Sequence, residues 1–105
     1  MIDITYHRRL NSIEMHGHAG GKRGTDLTCA AATMLARTLA MNAERLKAMG
    51  AATHIEVTRE DGKAAVWCKA KSGMESVVTL TMDSVCMGFE YLQEKHPKKV
   101  RFTIV

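Results

Sequence analysis

Cysteine is scarce in this chain: Cys29, Cys68 and Cys86 are widely spaced, and no two form a Cys-x-x-Cys pair. That excludes a disulfide framework and a cysteine-rich zinc site, and leaves three reduced thiols to be judged one by one. Proline is scarcer still, a single residue, and no linker, repeat or low-complexity tract interrupts the chain. Aromatic residues are only 5% of the total, so eight methionines do much of the core filling, which suits an adaptable interior. No apolar run approaches the roughly 20 residues needed to cross a bilayer. The opening MIDITYHRR lacks the charged-then-apolar order of a signal peptide and reads as a strand, so the cytoplasm is the expected compartment.

What is present describes a globular domain. With 46% hydrophobic and 25% charged residues, 105 residues are enough for one domain, 1–105, with a core that needs no staples. The net charge is +4, with Lys95, Lys98, Lys99 and Arg101 clustered near one end and Arg8 with Arg9 near the other. Such clusters can meet nucleic acid, but these lack interleaved aromatics and belong to no binding motif, so they read as solvated faces.

Alternation sets the first elements. Ile2, Ile4 and Tyr6 form one strand, and Ile13, Met15 and Gly17 a second after a turn near Arg9 to Asn11, together a hairpin that ends beside His18. From Asp26 to about Met49, Ala30, Met34, Leu35, Thr38, Leu39, Leu46 and Met49 are expected to supply the apolar side of a long helix. Thr25 or Asp26 is its expected N-cap, and Gly50 marks its stop. Two strand-like segments, 54–59 and 63–69, flank the hairpin signal Glu60-Asp61-Gly62. Val78, Met82, Val85, Phe89 and Leu92 mark a second helix ending before Pro97, and Val100, Phe102 and Ile104 a last strand. The order β-β-α-β-β-α-β predicts an α+β two-layer sandwich, two helices on one face of a mixed or antiparallel sheet whose strand order stays open.

The chemistry concentrates in HGHAGGKRGTDLTC, residues 16–29. A phosphate loop is disfavoured, because Arg23 stands where the Walker pattern needs Ser or Thr, and the glycines miss GxGxxG. His16 and His18 alternate on a strand and, with Cys29 and Asp26, suggest a metal site, but no fourth ligand is apparent. Neither a metal nor another cofactor is expected. A thiol–imidazole pair has more support. Cys29 lies three residues past the cap Asp26, where the partial positive charge of a helix start favours a thiolate. The strap from Ala19 to Thr25 is long enough to bring His18 to it, and free first-turn N–H groups are expected to serve an oxyanion. A buried structural cysteine at the same place is the competing reading. Cys68 and Cys86 read as core, and His7, His54 and His96 have no polar constellation around them.

The pattern Gly17-His18-Ala19, a short Gly-containing loop, then Gly24-x-Asp26-x-x-Cys29-Ala30 resembles the signature of the ribosomal-processing cysteine proteases, the Prp family. The element order and the tail, Gly88-Phe89 through Glu94-Lys95-His96-Pro97 into a last strand, are similar too. The resemblance implies a cytoplasmic, homodimeric cysteine endopeptidase. Its implied partner is the N-terminal extension of a large-subunit ribosomal protein, removed after an aromatic residue. It implies His18 as catalytic histidine and Cys29 as nucleophile, with Asp26, Gly17, Gly24 and Thr33 supporting them. Here the stretch between Ala19 and Gly24 is one residue shorter than usual, and Thr28 replaces an apolar residue. His16 is outside the signature. Two other readings compete: a non-catalytic ribosome- or RNA-associated module using the basic surface, and hydrolysis of a small acyl or thioester substrate by the same pair.

Overall fold

The computed structural model describes residues 1–21 and 26–105. The strands are β1 (Ile2–His7), β2 (Ser12–Gly17), β3 (Ala52–Glu60), β4 (Lys63–Ala70) and β5 (Val100–Ile104), with helices α1 (Leu27–Ala48) after β2 and α2 (Glu75–Lys95) after β4. They follow the expected β-β-α-β-β-α-β order. A 3₁₀ turn, Arg8–Leu10, joins β1 to β2, and Asn11 closes it in the left-handed region at φ 51°. The sheet order is β3-β4-β2-β1-β5, antiparallel throughout except for the parallel β1–β5 pair. This is the α+β two-layer sandwich, with a mixed sheet.

Register divides the sheet into two faces. Ile4, Met15, Ala64 and Arg59 lie in one cross-strand row, and Tyr6, Ile13, Val66 and Val57 in the next; the rows form the face that the helices cover. Asp3, His16, Lys63 and Glu60 lie in one polar row of the open face. A strand's period of two makes this division unavoidable once the register is set.

The helices differ in how well their patterns anticipate packing. On α2 the buried residues are Val78, Met82, Cys86, Phe89 and Leu92, close to the expected stripe, with Cys86 in place of half-buried Val85. On α1 the buried face is Thr28, Ala32, Leu39, Ala40, Ala43 and Leu46, so the expected apolar side needs correction. Met34 and Met49 are about 70% exposed, at 69% and 72%, and Ala30 is exposed as well. Three alanines face inward, and Met34 and Met41 of the same helix are left outside. Where α2 meets α1, a Cβ on Gly88 would strike the end of the Leu35 side chain, which would have to shift to admit it. Phe89, fully buried, stacks on Phe102 of β5 at 6.0 Å between ring centres.

A polar clamp ties β1 to α2. The Tyr6 hydroxyl donates to Asp83 Oδ1 at 2.7 Å, and Arg8 donates to both carboxylate oxygens at 2.9–3.2 Å. The hydrogen bond from Arg8 holds the Asp83 carboxyl below the ordinary carboxylate range, against the opposing effect of burial. A carboxyl depressed by folding contributes stability above its unfolded pKa, and that contribution is lost as pH falls through its folded value. Asp83→Ala leaves the buried Tyr6 hydroxyl unpaired and is expected to cost about 1–3 kcal/mol near neutrality. Thermal unfolding measured from neutral pH downward should show the gap to the parent protein narrowing on the acid side.

Candidate active site

The site begins where β2 ends. Gly17 has φ +98°, and a Cβ there would run into the Met1 carbonyl, so only glycine fits. Its N–H donates to the carbonyl of Gly62 at 2.9 Å, which splices the end of β2 to the β3–β4 turn. His18 therefore emerges beside Asp61 and Gly62. Its Nε2 lies 3.9 Å from Asp61 Oδ1, and a Cβ on Gly62 would come within 3.0 Å of that nitrogen. The imidazole thus lies against the bare face of a glycine.

One residue on, the chain turns inward. Ala19 is buried, and its N–H faces Cys29 Sγ at 3.2 Å. Cys29 is half-buried in the first turn of α1. Its position is fixed by Asp26, the N-cap, whose Oδ1 accepts from the N–H groups of Thr28 at 2.9 Å and Cys29 at 3.1 Å. Asp26 Oδ2 accepts from Gly21 N–H at 2.8 Å, so the same carboxylate anchors the strap. These contacts, that from Cys29 foremost, pull the Asp26 carboxyl below its ordinary range, with Lys99 adding a smaller Coulombic pull. Of the two expected caps Asp26 fills the position; Thr25 lies outside the described residues.

The expectation of free first-turn donors needs correction. The N–H groups of Thr28 and Cys29 are held by the Asp26 side chain, and that of Ala30 by the Asp26 carbonyl. The backbone donor aimed at the sulfur comes instead from the strap, at Ala19.

His18, Asp26, Cys29 and Thr33 line one cleft of about 690 Å³, with Gly17 at its edge. Gly24 lies outside the described residues. One wall is α1, with Ala30, Thr33, Met34 and Arg37; the other is the β3–β4 hairpin from Arg59 to Ala64. Met15 and Ile2 reach the cleft from the sheet. Along α1, Arg37 lies about 12 Å beyond Cys29, the span of about three or four extended residues. No hydrogen bond joins His18 to Cys29 among the described residues; what they share is the cleft and the intervening Ala19.

His16 projects from the open sheet face, 4.0 Å from Glu14 Oε2, and does not line the cleft. Among the described residues no three His, Cys, Asp or Glu side chains converge as metal ligands. In the basic cluster, Arg101 Nε bonds Asp3 Oδ1 at 2.6 Å, and Lys95 sits 5.5 Å from the centre of the Tyr91 ring, so two of its four charges have local partners. Sequence reasoning missed Asp61 as a neighbour of His18. Its Asp-Gly signal marked a turn and nothing more, because the strand order that brings the turn to His18 was open.

The three thiols are unequal. Burial pushes Cys68 up to about 11, and burial with the Asp83 charge pushes Cys86 up to about 12. Both are core groups, and a thiol reacts through its thiolate. Brief treatment of the folded protein with iodoacetamide near neutrality should therefore add one label, at Cys29, with Cys68 and Cys86 labelled only after denaturation. Peptide mass analysis reads the outcome directly.

The chain matches the family described as cysteine protease Prp over residues 1–101. No curated protein matches it. Among solved structures it is similar to the essential ribosomal processing protease Prp from S. aureus, in complex with a covalently linked product peptide, at TM-score 0.72 and 18% identity. That match covers 99% of this chain and 97% of the other. The same protease with a substrate peptide matches at TM-score 0.66 and 16% identity, with the same coverage. SMU.848 from Streptococcus mutans matches at TM-score 0.66 and 25% identity, over 99% and 91% of the two chains.

Proposed function

Because this chain belongs to the cysteine protease Prp family, we propose that it is an endopeptidase that removes the N-terminal extension of a large-subunit ribosomal protein and so supports ribosome assembly. The observation that carries the reading is the placement of Cys29, the one thiol lining a peptide-sized cleft, in that cleft with His18. The S. aureus relative, with a substrate peptide in one structure and a covalently linked product peptide in another, supports the substrate class.

In this reading Cys29 attacks the scissile carbonyl and forms an acyl-enzyme, expelling the amine of the following residue. His18 holds the thiol as thiolate, protonates the departing amine, and then takes a proton from the water that hydrolyses the acyl-enzyme. The N–H of Ala19, already facing the sulfur at 3.2 Å, supplies a donor for the oxyanion that forms beside it. Asp26 fixes the helix start, Gly17 turns the chain out of β2, and Thr33 places a hydroxyl one turn beyond Cys29 on the cleft wall. The apolar lining from Met15, Ala30 and Met34 fits an aromatic side chain before the scissile bond. The family resemblance extends the reading to a cytoplasmic homodimer that uses no cofactor.

The test is to incubate the protein with the extended ribosomal protein of its own source, in parallel with Cys29→Ala, and to follow the new N-terminus by mass. Loss of the extension with the parent protein alone supports the reading; an uncut substrate with both, in folded samples, removes it.

A further inference from the structure

A histidine that moves protons in two directions needs its ring held, because one nitrogen must face the thiol while the other is fixed by a partner. Asp26, the acidic residue nearest Cys29 in sequence, is spent: its two oxygens already accept three backbone N–H groups. Of the other acidic residues lining the cleft, Glu60 pairs in register with Lys63 across the hairpin, and Asp61 sits beside the imidazole. We propose that Asp61, in the β3–β4 turn, is the positioning residue for His18, holding Nε2 so that Nδ1 is left for Cys29. The proposal rests on the protease reading above.

The support lies in how the pair is built. Asp61 and His18 stand on either side of one backbone hydrogen bond, Gly17 N–H to Gly62 C=O at 2.9 Å. Their separation is therefore set by the junction of two strands and not by the strap. Gly62, at φ +72°, has no side chain to push the ring away. The separation of 3.9 Å is longer than a hydrogen bond and within reach of an ion pair once the imidazole carries its second proton. In the free protein both side chains are largely exposed, 62% and 72%, where such a pair adds little to stability. A peptide lying along the cleft covers them, excludes water and strengthens the attraction, and catalytic contacts of this kind tighten in the substrate complex. The effect belongs in turnover, not in folding.

Asp61→Asn is the incisive variant, because Asn-Gly forms this hairpin turn as readily as Asp-Gly. It should melt with the parent protein yet show kcat about tenfold lower, with KM within about twofold, part of what an aligned acid–base group supplies. Without any peptide, its Cys29 should react with iodoacetamide more slowly than in the parent, in the same direction as His18→Ala. Asp61→Glu should recover most of both losses. A kcat for Asp61→Asn within about twofold of the parent, with His18→Ala slowed at least about 100-fold, overturns the proposal and leaves the protease reading intact. An equal loss in Asp61→Glu and Asp61→Asn also overturns it, since the turn's shape and not its carboxylate would be the cause. If His18→Ala leaves both cleavage and alkylation unchanged, the protease reading falls and the proposal with it.

Discussion

Cys29→Ala is expected to leave the extended ribosomal protein uncut, with cleavage at least about 10⁴-fold slower than in the parent protein. The loss should be close to complete because no other described thiol can take over. Cys68 and Cys86 are buried in the core, their thiols pushed up to about 11 and about 12. His18→Ala should lower kcat/KM by about 10²- to 10⁴-fold, the range for one proton-transferring group, with a measurable residue because the sulfur and its Ala19 donor remain. His18 is exposed and Cys29 only packs against the edge of the core, so circular dichroism should be unchanged and melting should shift little. The double variant should be no worse than Cys29→Ala alone, since groups that act as a unit do not add. A Cys29→Ala protein that still trims the extension would mean the chemistry lies elsewhere.

Asp26→Ala should damage both fold and function, and Asp26→Asn should separate the two. Alanine releases the N–H groups of Gly21, Thr28 and Cys29 together, freeing the strap and the first turn of α1. A displacement of about 1 Å at a nucleophile is enough to cost about 100-fold in rate, so kcat/KM should fall by that order while the melting temperature drops. Asparagine keeps one oxygen and is itself a good N-cap, so the bonds from Thr28 and Cys29 survive and melting recovers. Its amide nitrogen cannot accept from Gly21, so the strap stays released and activity stays low. The Asp26 carboxyl is depressed by folding, so its contribution is complete above the ordinary carboxylate range and disappears as pH falls through the folded value. The gap between parent and Asp26→Ala in melting temperature should close on the acid side. Recovery of full activity in Asp26→Asn would show that the strap anchor is dispensable.

These predictions trace back to features that differ in how plainly the sequence displays them. Local patterns were legible. Strand alternation around Ile4 and Ile13, the α2 stripe, the Asp26 cap and the Asp61-Gly62 turn all depend on neighbours a few residues away. The site's two chemical members were legible for the same reason, one at a strand end and one at a helix start, with the family pattern choosing Cys29 over a core cysteine. The buried face of α1 was not. Hydropathy favours Met34 and Met49 over Ala32, Ala40 and Ala43, but a tightly packed helix needs small residues inside. Strand order was not legible either, since it depends on pairings between distant segments. With it went the position of Asp61, which meets His18 only because β4 lies beside β2.

The parallel pairing of β1 with β5 has a consequence for when the enzyme can first work. Ile2 and Ile4, which sit in the core, gain their second neighbouring strand only from Val100 and Phe102, nearly a whole chain length away. Such a contact closes a long loop, and the entropy of that closure opposes it until the rest of the sheet is in place. During synthesis the segments bearing His18, Cys29 and Asp61 are all made well before residues 100–104, yet the five-stranded sheet is incomplete until those residues join β1. A chain still lacking its last strand thus carries the site's side chains on a sheet whose β1 is paired on one side only.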